Sequence, residues 1–257
     1  MATKATKTKQ KQISFAPGKS KRSEGILVNA SSPFHVIESF KNIRTNLLFT
    51  LATRESKAVV ISSSMPREGK STTSANLAIV LAQTGAQVLL MDCDLRKPTI
   101  NRLFKLNTQK GLTTILCGID KIEEALNENV IPNLDIITSG PVSPNPSELL
   151  GSKRMSDLLS IVQKAYDYII IDAPPINVVS DAIIVAKQTA GIVLVARQGQ
   201  SRHDYLQKTI ENCRFADVDI LGIVMNEAKS SASYYGYGYN YSYGYGYANP
   251  DRGAKQG

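Results

Sequence analysis

Residues Ser62 to Thr73, Ser-Ser-Ser-Met-Pro-Arg-Glu-Gly-Lys-Ser-Thr-Thr, restrict this chain more than any other stretch. Ahead of them runs Lys57-Ala58-Val59-Val60-Ile61, short, apolar and β-branched, which predicts a buried strand. Behind them Ser74 to Gln83, rich in Ala and Leu, predicts a helix that ends by Gly85. A strand, a tight turn and a helix N-terminus bring backbone N–H groups and the positive end of a helix dipole to one point, which is a cradle for phosphate. The loop fits the pattern G-x-x-x-x-G-K-[ST] with Ser64 in the place of the first glycine. In that pattern Gly69 lets the backbone close over phosphate, Lys70 reaches the β- and γ-phosphates, and the Ser71 hydroxyl holds Mg²⁺. Glu68 and Thr72 adjoin these residues and count among the expected nucleotide contacts. A lysine capping an ordinary turn is the plain alternative; the flanking strand and helix favour the nucleotide site.

Composition matters here mainly for what it excludes. The chain has 257 residues, 42% of them hydrophobic, enough for one large α/β domain with its own core. Its apolar runs are strand-length, and its start is polar and lysine-rich without an apolar signal core. Cys93, Cys117 and Cys213 form no C-x-x-C pair, and His35 and His203 offer no metal-ligand spacing. Scattered cysteines suit a reducing cytosol. The net charge of +8 is local: residues 1–22 carry seven Lys or Arg and no acid, so the remainder, with 23 basic and 22 acidic residues, is nearly neutral. The basic stretch 1–30 reads as a solvated arm, or as weakly attracted to an anionic membrane face. No basic face interleaved with aromatics argues for nucleic acid.

Along residues 31–230 the chain alternates strand and helix patterns. Phe34, Ile37, Phe40, Ile43, Leu47 and Leu48 mark a helix, on which Glu38, Lys41 and Arg44 fall three apart and share one polar face. That face is either solvated or a charged contact between molecules. Strand Gln87–Met91 runs into Asp92-Cys93-Asp94-Leu95-Arg96, putting two carboxylates where open parallel sheets bind ligands. One could approach Mg²⁺ and the other accept a proton, or either could simply cap the next helix. Gly111–Leu116 predicts a short helix, Leu134–Thr138 a strand, Ser147 the cap of a short helix through Leu150, and Ser152–Ala165 another helix. Strand Tyr168–Ile171 ends in Asp172, the position of the acid that completes a nucleoside-triphosphatase site. Helices at Asp181–Lys187 and Ser201–Cys213 alternate with strands Ile192–Ala196 and Ile220–Met225. At the last strand's tip, Asn226 either reaches the nucleotide base or begins a turn.

Residues 231–257 differ from everything before them. Tyr234, Tyr235, Tyr237, Tyr239, Tyr241, Tyr243, Tyr245 and Tyr247, eight of the eleven tyrosines, alternate with Gly, Ser and Asn. Glycines and the lack of aliphatics read as a flexible, low-complexity tail. Many phenol hydroxyls joined to a phosphoryl-transfer site suggest a substrate tethered to its enzyme; an adhesive or structural tail is the alternative.

Together these features resemble the bacterial tyrosine kinases of capsule and exopolysaccharide synthesis, in their stand-alone Gram-positive form. Ser64–Ser71 corresponds to the family's first nucleotide motif, Asp92-x-Asp94-x-Arg96 to its second, and Ile169-Ile170-Ile171-Asp172 to its third. The resemblance implies a P-loop NTPase fold, an α/β architecture with a mostly parallel central sheet and helices on both faces. It also implies ATP and Mg²⁺ as cofactors, with Ser71, Asp92 and Asp172 at the metal and Lys70, Asp92, Asp94 and Asp172 in catalysis. Ser64, Glu68, Gly69, Lys70, Ser71, Thr72, Arg96 and Asn226 would hold nucleotide, and the eight tail tyrosines would be phosphoacceptors in trans. Implied partners are further copies of the chain, in a ring assembled through Glu38, Lys41 and Arg44, a membrane-bound activator of the polysaccharide co-polymerase type, and a cognate tyrosine phosphatase. The implied location is cytoplasmic, at the inner membrane face when the activator recruits it. Two departures stand out. Lys41 replaces the arginine of the family's E-x-x-R-x-x-R, keeping charge but losing the two-pronged carboxylate contact. Arg67 stands where the family often carries glycine. A regulatory ATPase or nucleotide-gated scaffold of polysaccharide export remains the alternative reading.

Overall fold

The computed structural model describes residues 27–228; the basic segment before them and the tyrosine cluster Tyr234 to Tyr247 lie outside the described residues. The central sheet has seven strands: β1 (Ala58–Ser63), β2 (Val88–Asp92), β3 (Leu126–Ile131), β4 (Leu134–Ile137), β5 (Tyr168–Asp172), β6 (Ile192–Arg197) and β7 (Ile220–Asn226). They lie in the order β3-β4-β2-β5-β1-β6-β7, and every neighbouring pair except β3–β4 is parallel. The expected mostly parallel sheet is therefore present, with one antiparallel strand at its edge. Pairing alternates sides as the chain proceeds: β2 lies beyond β5 on one side of β1, and β6 lies on the other. Such a switch leaves a crevice at the carboxyl ends of the central strands.

The inner strands β1, β2, β5 and β6 are apolar up to their polar carboxyl ends because helices cover both faces. Successive residues point to opposite sides, so Val59 and Ile61 enter one core while Ala58 and Val60 enter the other. The first core packs beneath α1 (Phe34–Leu51), α2 (Lys70–Ala82) and α3 (Ile100–Phe104). The second packs beneath α4 (Leu112–Cys117), α6 (Pro146–Leu150), α7 (Lys153–Ala165), α8 (Asp181–Ala186) and α9 (His203–Phe215), with the short α5 (Ile122–Ala125) beside it. Among the described residues no helix is long and apolar enough to cross a membrane.

Several boundaries depart from the sequence reading. Helix α2 begins at Lys70, directly after Gly69, four residues before the expected Ser74. Strand β3 was not expected, because its half-buried Asn127 and exposed Glu128 and Asn129 are poor strand formers and its pairing with β4 slips register. Ser147 does not cap α6: Asn145 occupies that position ahead of Pro146, and the Ser147 hydroxyl instead bonds Asp181. The folded body also begins earlier than residue 31, for Val28 is buried and donates its N–H to Asn76 Oδ1 at 2.7 Å.

Candidate nucleotide site

The loop between β1 and α2 takes its shape from two residues in the left-handed region, Arg67 at φ 69° and Gly69 at φ 98°. For arginine that conformation costs roughly 1–2 kcal/mol, which is the physical reason a glycine suits the position. At Gly69 the need for glycine is twofold, since a Cβ would lie 2.0 Å from Asn226 Nδ2. The loop is braced from behind. Glu68 is almost fully buried; its carboxylate accepts the Met65 N–H at 2.9 Å and the Ser201 hydroxyl. Asn226 donates its side-chain amide to the Glu68 carbonyl at 3.1 Å. Ser64 is buried too, its hydroxyl hydrogen-bonded to Thr209 of α9 at 3.0 Å. Three expected nucleotide contacts, Ser64, Glu68 and Asn226, thus have side chains committed to holding the loop. Gly69, Lys70, Ser71 and Thr72 line the open cleft, as does Arg96.

Parallel register brings the acids together. β2 and β5 are neighbours with Asp92 directly opposite Asp172, so both carboxylates emerge at one edge of the crevice. Lys70 Nζ, at the start of α2, lies 2.9 Å from Asp94 Oδ2 and 3.4 Å from Asp172 Oδ2. Asp172 also accepts the Ser74 hydroxyl at 3.1 Å and is hydrogen-bonded by Ser71. Asp92 accepts the N–H groups of Asp94, Thr99 and Ile100, each at 3.1 Å. It therefore does cap α3, while remaining part of the charged cluster.

Three carboxylates against one ammonium leave an excess of two negative charges when all are ionised. Burial pushes the Asp92 carboxyl up to about 7, with Asp172 adding to the shift and Lys70 opposing it. Burial raises Asp172 as well, against the pull of Lys70 and Ser71. For Lys70, burial alone would favour the neutral amine, but Asp172, Asp94 and Asp92 outweigh it and hold the ammonium charged. A cluster that binds protons to relieve surplus negative charge is equally suited to a divalent cation beside phosphate. Of the three acids, Asp94 alone lines the cleft, whose volume is about 580 Å³.

Comparison with known proteins places this chain in a family. A model described as an AAA domain matches residues 56–213. Tyrosine-protein kinase YwqD of Bacillus subtilis (strain 168) is 44% identical over 203 residues, covering 77% of this chain and 86% of YwqD. The chain belongs to the bacterial tyrosine-protein kinases. Tyrosine-protein kinase ptk of Acinetobacter johnsonii is 36% identical over 84% of this kinase, which spans only 30% of that longer protein. The kinase domain of Escherichia coli tyrosine kinase ETK superposes with a TM-score of 0.71 at 34% identity, covering 79% of this chain and 80% of that one. The P-loop fold makes the kinase a nucleotide-binding protein.

Sequence reading missed one group in this kinase. Buried Asp181, at the start of α8, receives Arg96 Nε at 2.9 Å and Nη2 at 3.3 Å. Ser147 completes the clamp, bonding both Asp181 and Arg96 Nη2, the latter at 3.0 Å. The only sequence signal was an acid in the first turn of a helix, which reads as a cap. On α1, Lys41 pairs with Glu38 at 2.8 Å, while Arg44 donates to the Val80 carbonyl of α2 at 2.9 Å.

Proposed function

We propose that the chain is an ATP- and Mg²⁺-dependent protein-tyrosine kinase that phosphorylates its own C-terminal tyrosine cluster in trans and regulates capsular or exopolysaccharide synthesis and export. The observation that carries the reading is the meeting of Lys70 with Asp94 and Asp172 at the mouth of the phosphate loop. Gly69 to Thr72 and the start of α2 offer backbone N–H groups to the β- and γ-phosphates, and Lys70 neutralises the transferring group. The donor set suits Mg²⁺: Ser71 offers a hydroxyl already bonded to Asp172, and the three carboxylates around Lys70 carry negative charge in excess of its one ammonium when ionised. Bound there, Mg²⁺ would withdraw charge from the triphosphate as ADP leaves. The acceptor phenol oxygen attacks the γ-phosphorus, the bond from that phosphorus to the β–γ bridging oxygen breaks, and the Asp92/Asp94 pair takes the phenol proton. Alignment and charge neutralisation supply most of the rate.

In the same reading, Tyr234 to Tyr247 are the acceptors, presented by a neighbouring copy within a ring built through Glu38, Lys41 and Arg44. The kinase works in the cytoplasm, is recruited to the membrane by a membrane-bound activator of the polysaccharide co-polymerase type, and is reset by a tyrosine phosphatase. Support comes from the family and the tyrosine-rich sequence after Asn226.

Radiolabelled ATP with a mixture of wild-type chain and a Lys70→Met chain distinguishable by mass is the test. Label on the tail tyrosines of the Lys70→Met chain, with activity of that variant alone reduced at least about 100-fold, is the expected result. Release of free phosphate without labelled tyrosine would favour the regulatory ATPase.

A further inference from the structure

The cleft carries more positive charge than phosphate binding uses. Arg67, Lys70, Arg96, Lys97 and Arg102 all line it, with Asp94 the one acid among the lining residues. Lys70 is paired with Asp94 and Asp172, and Arg96 with Asp181. Arg67, Lys97 and Arg102 are exposed, and among the described residues none has an acidic side chain within ion-pair distance. Among the described residues Arg102 donates to its own turn, to the Pro98 carbonyl at 3.1 Å and the Thr99 hydroxyl at 3.4 Å. Arg67 belongs to the phosphate loop. Lys97 and Arg102 belong instead to the segment leaving β2, beyond the Asp92/Asp94 pair. Pro174, Pro175 and half-exposed Val178 give the same cleft an apolar wall. An apolar wall and unpaired cations fit an aromatic ring with a negative group beside it.

We infer that Lys97 and Arg102 form an acceptor subsite that selects tyrosines flanked by negative charge, either a carboxylate or a phosphotyrosine. This rests on the kinase reading and adds the acceptor's chemistry to it. Residues 231–257 contain a single acid, Asp251. The unmodified tail is thus a poor match to the subsite. Each phosphotyrosine adds roughly −1.5 to −2 charges, and most tail tyrosines lie two residues from the next, so an initial phosphorylation converts neighbours into preferred acceptors. Tail phosphorylation then accelerates as it proceeds.

The test uses full-length Lys70→Met chains as acceptors, carrying Ser242→Glu or Ser242→Lys between Tyr241 and Tyr243. Wild-type kinase should label the Ser242→Glu acceptor about three- to tenfold faster, the range two exposed charge contacts allow. A Lys97→Glu/Arg102→Glu kinase should reverse that order while still binding a fluorescent ATP analogue, which also shows that it is folded. Equal rates on both acceptors, or an order unchanged by the double substitution, would refute the subsite while leaving the kinase intact. Loss of analogue binding together with equal slowing on both acceptors would assign the cations to the nucleotide and refute it as well. Failure of wild-type kinase to label any tail would instead remove the kinase reading, and this inference with it.

Discussion

A single side chain, Asp92, shows how the fold charges its site. Its carboxyl is fully buried, and burial beside Asp172 raises it to about 7 from an ordinary carboxyl near 3.8. In the unfolded chain the group ionises first, so between about pH 4 and 7 the folded state holds the extra proton and stability falls as pH rises. Nucleotide-free protein should therefore melt roughly 5 °C lower at pH 7.5 than at pH 5, and Asp92→Asn should flatten most of that slope. A thermal melt across that range checks it; a slope unchanged by the substitution would mean other groups carry the dependence. At this scale much was legible. Gly69-Lys70-Ser71 and the strand-end acids were readable because each obeys a local pattern of strand, turn and helix. The bracing role of Glu68 and the pairing of Asp181 were not. Glu68 meets Ser201 across 133 residues and Asp181 meets Arg96 across 85, and no local spacing encodes either meeting.

Elements were legible where one period dominated. Inner strands such as β5 are apolar at nearly every position, and their existence and order along the chain follow from that. The start of α2 was misplaced because its first turn, Lys70-Ser71-Thr72-Thr73, is polar, with residues that serve the cleft as well as the helix. Edge strand β3 lacks any clean alternation, so only its pairing with β4 reveals it. Junctions between elements can be as tight as any core contact. Where the start of α4 meets the segment after β4, Gly111 packs against backbone, and an added Cβ would lie 2.3 Å from Gly140 N and 2.5 Å from the Thr138 carbonyl. Gly111→Ala should cost about 1–3 kcal/mol, measured as a lower urea midpoint with an unchanged slope. A variant as stable as the parent would show that the α4–β4 junction yields.

For the whole molecule, the two cores divide the helices by face. α1 shares its core with α2 and α3, whereas α6 to α9 fill the other. The proposed assembly residues Glu38, Lys41 and Arg44 thus ride on the helix that packs against α2. If these residues join subunits, Lys41→Arg restores the two-pronged carboxylate contact and should shift assembly to about three- to tenfold lower protein concentration. Light scattering across a dilution series reads that shift; an unchanged midpoint would place the subunit contact elsewhere. The α/β class was legible from alternating strand and helix patterns, since a parallel sheet needs crossover helices to connect its strands, whereas the P-loop fold followed from the family resemblance. Side-chain partners between distant segments were not, because they exist only once the sheet has fixed its order.

Arg44 spans from α1 to the backbone of α2 through one 2.9 Å bond to the Val80 carbonyl, and α2 carries Lys70 at its other end. A push on α1 therefore reaches the Lys70 ammonium along a stiff strut, without a loop to absorb it.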